Sequence, residues 1–120
     1  MSSPDDELAQ RASVRTWLES VQKGSLRPEA DRRRRLDLMS QYVAHVGVDP
    51  DTIVARSRAD ATDKNAFLKQ LVQWAGTLPG SDRARHDAEN TIRSFFMRNG
   101  FRVVTRPYRD VYQRPGTTDQ

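Results

Sequence analysis

Arginine is the residue type in this chain whose abundance and placement could do chemistry, and that chemistry is the binding of phosphate. Seventeen of the 20 basic residues are arginines. The planar guanidinium group pairs through two parallel N–H groups with a phosphate or with the edge of a guanine base. A GC-rich genome would also raise the arginine content, so abundance alone does not decide what these residues do.

The distribution of charge along the chain is more informative than its sum. Residues 1–60 carry ten basic and ten acidic groups, which cancel. Residues 61–120 carry ten basic and six acidic groups, and this half supplies the whole net charge of +4. Codon usage alone does not account for such an asymmetry between the two halves of the chain.

Arginines cluster at the starts of two predicted helices. Arg27 precedes Pro28, and the run from Arg32 to Arg35 follows within two turns. Ser81 opens the other helix, and its first turns contain Arg83, Arg85 and His86. Free amide groups at a helix N-terminus attract phosphate, and side chains in the first turns can enter a major groove about 12 Å wide. Side by side, the two helices would form one basic surface; otherwise they are solvated faces with local ion pairs such as Glu89 with Arg93.

Signatures of catalysis and of metal binding are absent from the sequence. The chain has no cysteine, and its two histidines, His45 and His86, are far apart and have no metal-ligand spacing. Glycine-rich phosphate loops and nucleophile motifs are also missing. We therefore expect no enzymatic activity, no cofactor, no metal and no small-molecule substrate, and we expect His45 to be a surface residue or a partner of a helix dipole.

The elements that position the arginines are predicted to be helices. Apolar residues recur at helical spacing, and Gly24, Gly47, Gly80 and Gly100 stand where these segments end. Four main helices are predicted at about 13–22, 28–46, 63–77 and 82–99. The residues before Gln10 either extend the first helix or stay loose.

Two shorter segments are predicted to lie between the main helices. The sequence Asp49-Pro50-Asp51 is typical of a helix start, and a short turn at about 52–56 is expected to connect it to a polar loop at 57–62. The inward stripes of the main helices predict one shared core, formed by Trp17, Leu18, Leu36, Met39, Tyr42, Phe67, Leu71, Trp74, Ile92, Phe95 and Phe96.

These patterns predict an all-α protein, a compact bundle of four main helices with a basic C-terminal tail. The predicted domain organisation is an acidic flexible N-terminus at 1–7, a helical DNA-binding domain at 8–100 and a basic extended linker or tail at 101–120. The acidic N-terminus does not resemble a secretory signal, and no apolar run is long enough for a membrane span. We expect a cytoplasmic protein without a membrane partner.

The order of these elements resembles the core-binding, SAM-like N-terminal domain of tyrosine recombinases and phage-type integrases. The resemblance covers residues 8–108. The segments that carry it are Val14-Arg15-Thr16-Trp17-Leu18 in the first helix, Leu36, Met39 and Tyr42-Val43 in the second, Asn65 to Trp74 in the third, and Thr91 to Gly100 in the fourth. Most of these are core residues at helical spacing.

The resemblance implies that the second and fourth helices face duplex DNA and that a basic linker crosses to a separate catalytic domain. The residues implicated are Arg27, Arg32, Arg34, Arg83, Arg85, His86 and Asn90, with Arg102 and Arg106 in the linker. Catalytic residues of the family belong to that other domain, so neither Tyr108 nor Tyr112 is expected to be a nucleophile. Other recombinase protomers would be partners on DNA. The alternative hypothesis is a helical protein-interaction module that binds an acidic partner.

Overall fold

The computed structural model describes residues 4–22 and 25–103 of the chain, and within these ranges the regular secondary structure consists of helices, without a strand. The helices are α1 (Pro4–Ala9), α2 (Ala12–Gln22), α3 (Pro28–Val46), α4 (Pro50–Ala59), α5 (Ala61–Gly76) and α6 (Asp82–Arg98). The prediction of an all-α fold is confirmed. The four predicted main helices correspond to α2, α3, α5 and α6. None of the helices in the described ranges is long and apolar enough to cross a bilayer.

The ends of the helices follow the local signals in the sequence. Helix α3 has Pro28 in its first turn and ends at Gly47, whose φ of 81° is left-handed, a conformation that favours glycine. Helix α4 is capped by Asp49, whose side chain accepts a hydrogen bond from Thr52 N at 2.9 Å. In the same way Ser81 accepts from Ala84 N at 3.1 Å and caps α6.

The predicted loop at 57–62 is wrong. Helix α4 continues to Ala59 and α5 begins at Ala61, so only Asp60 separates them. Asp60 has extended backbone angles, and it ends one helix and caps the next: its N–H donates to Arg56 O at 3.0 Å and its side chain accepts from Thr62 N at 2.8 Å. The polar composition was misleading because Ser57 is buried in the helix rather than exposed in a loop.

Helix α1 is a separate element before α2. The chain turns at Gln10 and Arg11, whose amides donate to the carbonyls of Glu7 and Leu8. Helix α1 therefore neither extends α2 nor stays loose, and it crosses the boundary predicted between residues 7 and 8. Burial of Leu8 on the bundle explains why this short segment belongs to the domain.

All eleven residues predicted to share the core are buried and belong to one cluster. Trp17 meets the ring of Phe95 edge-on at 5.7 Å between centroids. The Tyr42 hydroxyl is buried and donates to Phe67 O at 2.9 Å, and burial raises the pKa of Tyr42. The prediction of a single core is confirmed.

The first residues after α6 pack against the bundle. The ring of Phe101 lies 6.0 Å from that of Phe96, and Val103 is buried. Of the predicted tail at 101–120, Arg106, Tyr108 and Tyr112 lie outside the described residues.

Candidate nucleic-acid interface

Helices α3 and α6, which carry the two basic starts, lie side by side. Arg34 Nη1 donates to Thr91 Oγ1 at 2.9 Å, and Arg35 Nη1 lies 3.4 Å from Ser94 Oγ. Between the helices runs a polar groove of about 500 Å³, which we call the α3/α6 groove. Its lining residues are Asp31, Arg34, Arg35, Asp87, Asn90, Thr91 and Ser94.

The two walls of the groove repeat a similar pattern of side chains. Arg27, which precedes the first residue of α3, stands four residues before Asp31 and seven before Arg34, and the latter two lie on one face of the helix. On α6 the residues with the same spacing are Arg83, Asp87 and Asn90. Each wall therefore has an arginine four residues before its acid, and both of these arginines, Arg27 and Arg83, are exposed.

The structure brings together some of the predicted site residues and separates others. Arg34 and Asn90 line the groove, and Arg27 and Arg83 lie one turn outside it. Arg32 and His86 are half-buried and do not line it, and Arg102 is exposed beyond the end of α6. Arg106 lies outside the described residues.

Arg85 is held by the connection between α5 and α6. Its Nη1 donates to Leu78 O at 3.1 Å and to Gly80 O at 2.7 Å, and its Nη2 pairs with Asp82. These contacts join the Leu78-Pro79-Gly80 break to the first turn of α6. Arg85 therefore stabilises the loop and is not brought to the groove with Arg34.

Arg35 is the most informative groove residue that sequence reasoning did not select. Its guanidinium lies 5.5 Å from the centre of the Trp17 ring, while Ser94 Oγ accepts from Trp17 Nε1 at 2.8 Å. Arg35 precedes Met39 and Tyr42 by four and seven residues, which is the spacing of the inward stripe of α3. That spacing was the available signal, and the uniform charge of the arginine run obscured it.

Charges of both signs lie near the partly buried Arg35. Desolvation by burial lowers the pKa of Arg35, Asp31 opposes this decrease, and the nearby cations Arg34 and Arg98 add to it with smaller effects. The Nε atom of Arg35 is shielded from solvent and has no hydrogen-bond acceptor among the described residues. The groove thus contains a partly desolvated cation whose hydrogen-bonding capacity is incompletely used.

A second, smaller depression lies against α2 and α4 and has a structural explanation. Ser13 donates to Asp51 Oδ1 from both its amide and its hydroxyl, at 3.0 and 2.6 Å. Asn99 Nδ2 donates to Ser13 O at 3.1 Å, and Arg58 Nη2 donates to Asn99 O at 2.9 Å. These bonds join α2, α4 and the end of α6, so this polar cluster serves to hold the helices together.

Comparison of the chain with protein-family models, with curated proteins and with solved structures gives no significant match. The resemblance to recombinase core-binding domains thus stays a prediction. In the part of the chain that the structure describes, no three His, Cys, Asp or Glu side chains are grouped so that they could hold a metal ion.

Proposed function

We propose that this chain is a non-catalytic domain that grips duplex DNA. We further propose that it acts as the core-binding domain of a tyrosine recombinase or integrase and so contributes to site-specific recombination. The observation that carries the proposal is the adjacency of α3 and α6, because two basic segments that are separate in the sequence thereby lie on neighbouring helices.

The surface offers side chains for the two kinds of contact that a DNA-binding helix pair needs. In this proposal the exposed Arg27 and Arg83 contact phosphates, which provide affinity without sequence information. Arg34 and Asn90, in the groove, are residue types that pair with the edges of guanine and adenine. The carboxylates of Asp31 and Asp87 would repel phosphate, so they limit how closely the backbone of DNA approaches the middle of the surface.

The rival function is binding to an acidic protein, and one observation favours it. Leu26, directly before Arg27, is fully exposed. An apolar side chain beside a basic helix start suits a protein surface better than a phosphate backbone. The two functions therefore differ in whether the chain has the higher affinity for duplex DNA or for an acidic protein.

The salt dependence of binding to a random-sequence duplex tests the proposal. Neutralising several phosphates releases counterions, so log affinity should fall steeply and linearly with log salt concentration. Poly-glutamate of matched charge is the control polyanion, and the DNA should bind more tightly. Absence of duplex binding at low salt, or equal affinity for poly-glutamate and duplex, would contradict the DNA proposal and favour the protein-interaction function.

A further inference from the structure

The two arginines in the α3/α6 groove are held in place, yet most of their hydrogen-bonding capacity is unused. A guanidinium group has five N–H donors. Arg34 gives one hydrogen bond, to Thr91 Oγ1, and Arg35 gives one long bond, to Ser94 Oγ, among the described residues. Each hydroxyl in turn donates to a backbone carbonyl of α6. The two hydroxyls therefore position the arginines, and each guanidinium group keeps further N–H donors for a ligand.

The arrangement also places like charges together. Arg34 and Arg98 both lie close enough to Arg35 to disfavour its charge, and the opposing carboxylate is that of Asp31. Asp31 itself accepts a hydrogen bond from Ser25 Oγ, which takes up part of its capacity. An anion with several acceptor oxygens would offset the repulsion between the arginines and accept from several of their remaining N–H groups at once.

We infer that the α3/α6 groove is a binding site for a single phosphate group, held by Arg34 and Arg35 with Asn90 beside it. A phosphate offers several oxygens to two guanidinium groups, whereas a carboxylate has only two. The Trp17 ring, 5.5 Å below the guanidinium of Arg35, supports one face of that group and keeps it in the groove. The ligand is a backbone phosphate of DNA or a free phosphate ion. Binding of a DNA phosphate rests on the proposed function.

The two carboxylates that line the groove, those of Asp31 and Asp87, do not exclude a phosphate group. Asp87 is exposed, so its charge is screened by solvent, and its carbonyl accepts from the Thr91 hydroxyl. Asp31 lies one turn before Arg34 and Arg35 on α3 and is bonded to Ser25. Near Arg35, Asp31 favours the charged guanidinium more than either Arg34 or Arg98 opposes it, and burial of the group is the largest effect.

Nuclear magnetic resonance of the arginine Nε–H groups tests the site on the full chain. Inorganic phosphate replaces chloride at constant ionic strength, and the Arg35 Nε–H signal is followed. The chemical shift of this signal should change with phosphate concentration and reach a plateau. In Asn90→Asp, a carboxylate of nearly the same shape as the original side chain competes for the same N–H groups and should weaken phosphate binding by about tenfold.

The matched control is Asn65→Asp, which makes the same change of charge at an exposed position of α5 outside the groove. It should bind phosphate like the unaltered chain. A shift that rises linearly without saturating, or equal weakening in Asn65→Asp and Asn90→Asp, would overturn the site and indicate a diffuse charge effect. Thermal unfolding of both variants establishes that they are folded.

A second titration, with a short random duplex, separates the two sources of phosphate. Movement of the Arg35 signal on duplex binding, weakened in Asn90→Asp, supports the site and the DNA proposal together. Saturable binding of inorganic phosphate without duplex binding keeps the site and removes the DNA proposal. Duplex binding that leaves the Arg35 signal unmoved, with no saturable phosphate binding, removes the site and keeps the DNA proposal.

Discussion

Arg34 Nη1 donates to Thr91 Oγ1 at 2.9 Å, and this bond joins α3 to α6 across a separation of 57 residues in the chain. Thr91 is a core-facing position of α6, and Arg34 is exposed on α3. The bond therefore ties the core of one helix to the basic surface of the other. Together with the contact of Arg35 Nη1 with Ser94 Oγ, it joins the two helices that form the proposed DNA surface.

Replacing Arg27 and Arg83 together with alanine should weaken binding to every duplex. Both side chains are exposed at the ends of the α3/α6 surface, and loss of two phosphate contacts should reduce the slope of log affinity against log salt by about two units. Fluorescence anisotropy with a random duplex measures both quantities. The control is Arg11→Ala with Arg15→Ala, which removes the same charge from exposed positions around the start of α2. Equal losses in the two double variants would mean that binding is a diffuse charge effect.

Arg85→Ala should lower stability and leave the salt slope unchanged. Arg85 bonds the carbonyls of Leu78 and Gly80, and losing such bonds to a charged donor costs about 1–3 kcal/mol. Urea unfolding gives the free energy, and the salt titration gives the slope. Arg83→Ala is the neighbouring control, with the opposite expectation: an altered slope and little change in stability. If Arg85→Ala instead lost DNA affinity at unchanged stability, the loop-tying role would be refuted.

Phe95→Ala should destabilise the protein by about 3–5 kcal/mol, because Phe95 is fully buried between Trp17 and Phe96. Urea unfolding measures the change. Met97→Ala, at a position of the same helix that is 40% exposed, should cost much less. Similar costs for the two substitutions would show that the core is not centred on Phe95.

The cap of α4 should make part of the stability depend on pH. The hydrogen bond from the Thr52 backbone N–H lowers the pKa of Asp49, aided by the Thr52 hydroxyl and by Arg11. A depressed folded-state pKa means that the contribution is complete above the unfolded pKa of about 4 and is lost as pH falls through the lower folded value. Asp49→Ala should therefore cost about 1 kcal/mol at neutral pH, with a smaller difference from the unaltered chain below about pH 4.

Asp49→Asn is the matched control for this effect. Asparagine also caps helices but does not titrate, so its stability difference from the alanine variant should not vary with pH in this range. Chemical unfolding at a series of pH values makes the comparison. A pH-independent difference between the unaltered chain and Asp49→Ala would rule out the carboxylate as the source.

The sequence was sufficient for features that depend on residues a few positions apart. Pro28 and Gly47 marked the two ends of α3, and Ser81 marked the start of α6, because capping bonds and φ preferences act within one helical turn. The core was also predictable, since the 3.6-residue period alone separates an inward stripe from an outward one. Polar composition failed at Ser57, where a buried serine lies within a helix and a single residue, Asp60, forms the link.

Only the tertiary structure decided which arginines belong to one surface. Arg34 and Arg85 are alike in sequence, each in a basic segment near a helix start. Arg34 reaches Thr91 on the neighbouring helix, whereas Arg85 folds back onto the carbonyls of Leu78 and Gly80. A long, flexible side chain goes to the acceptors within its reach, and those acceptors come from segments far apart in the chain. Their positions are set by how the helices pack, which local spacing does not encode.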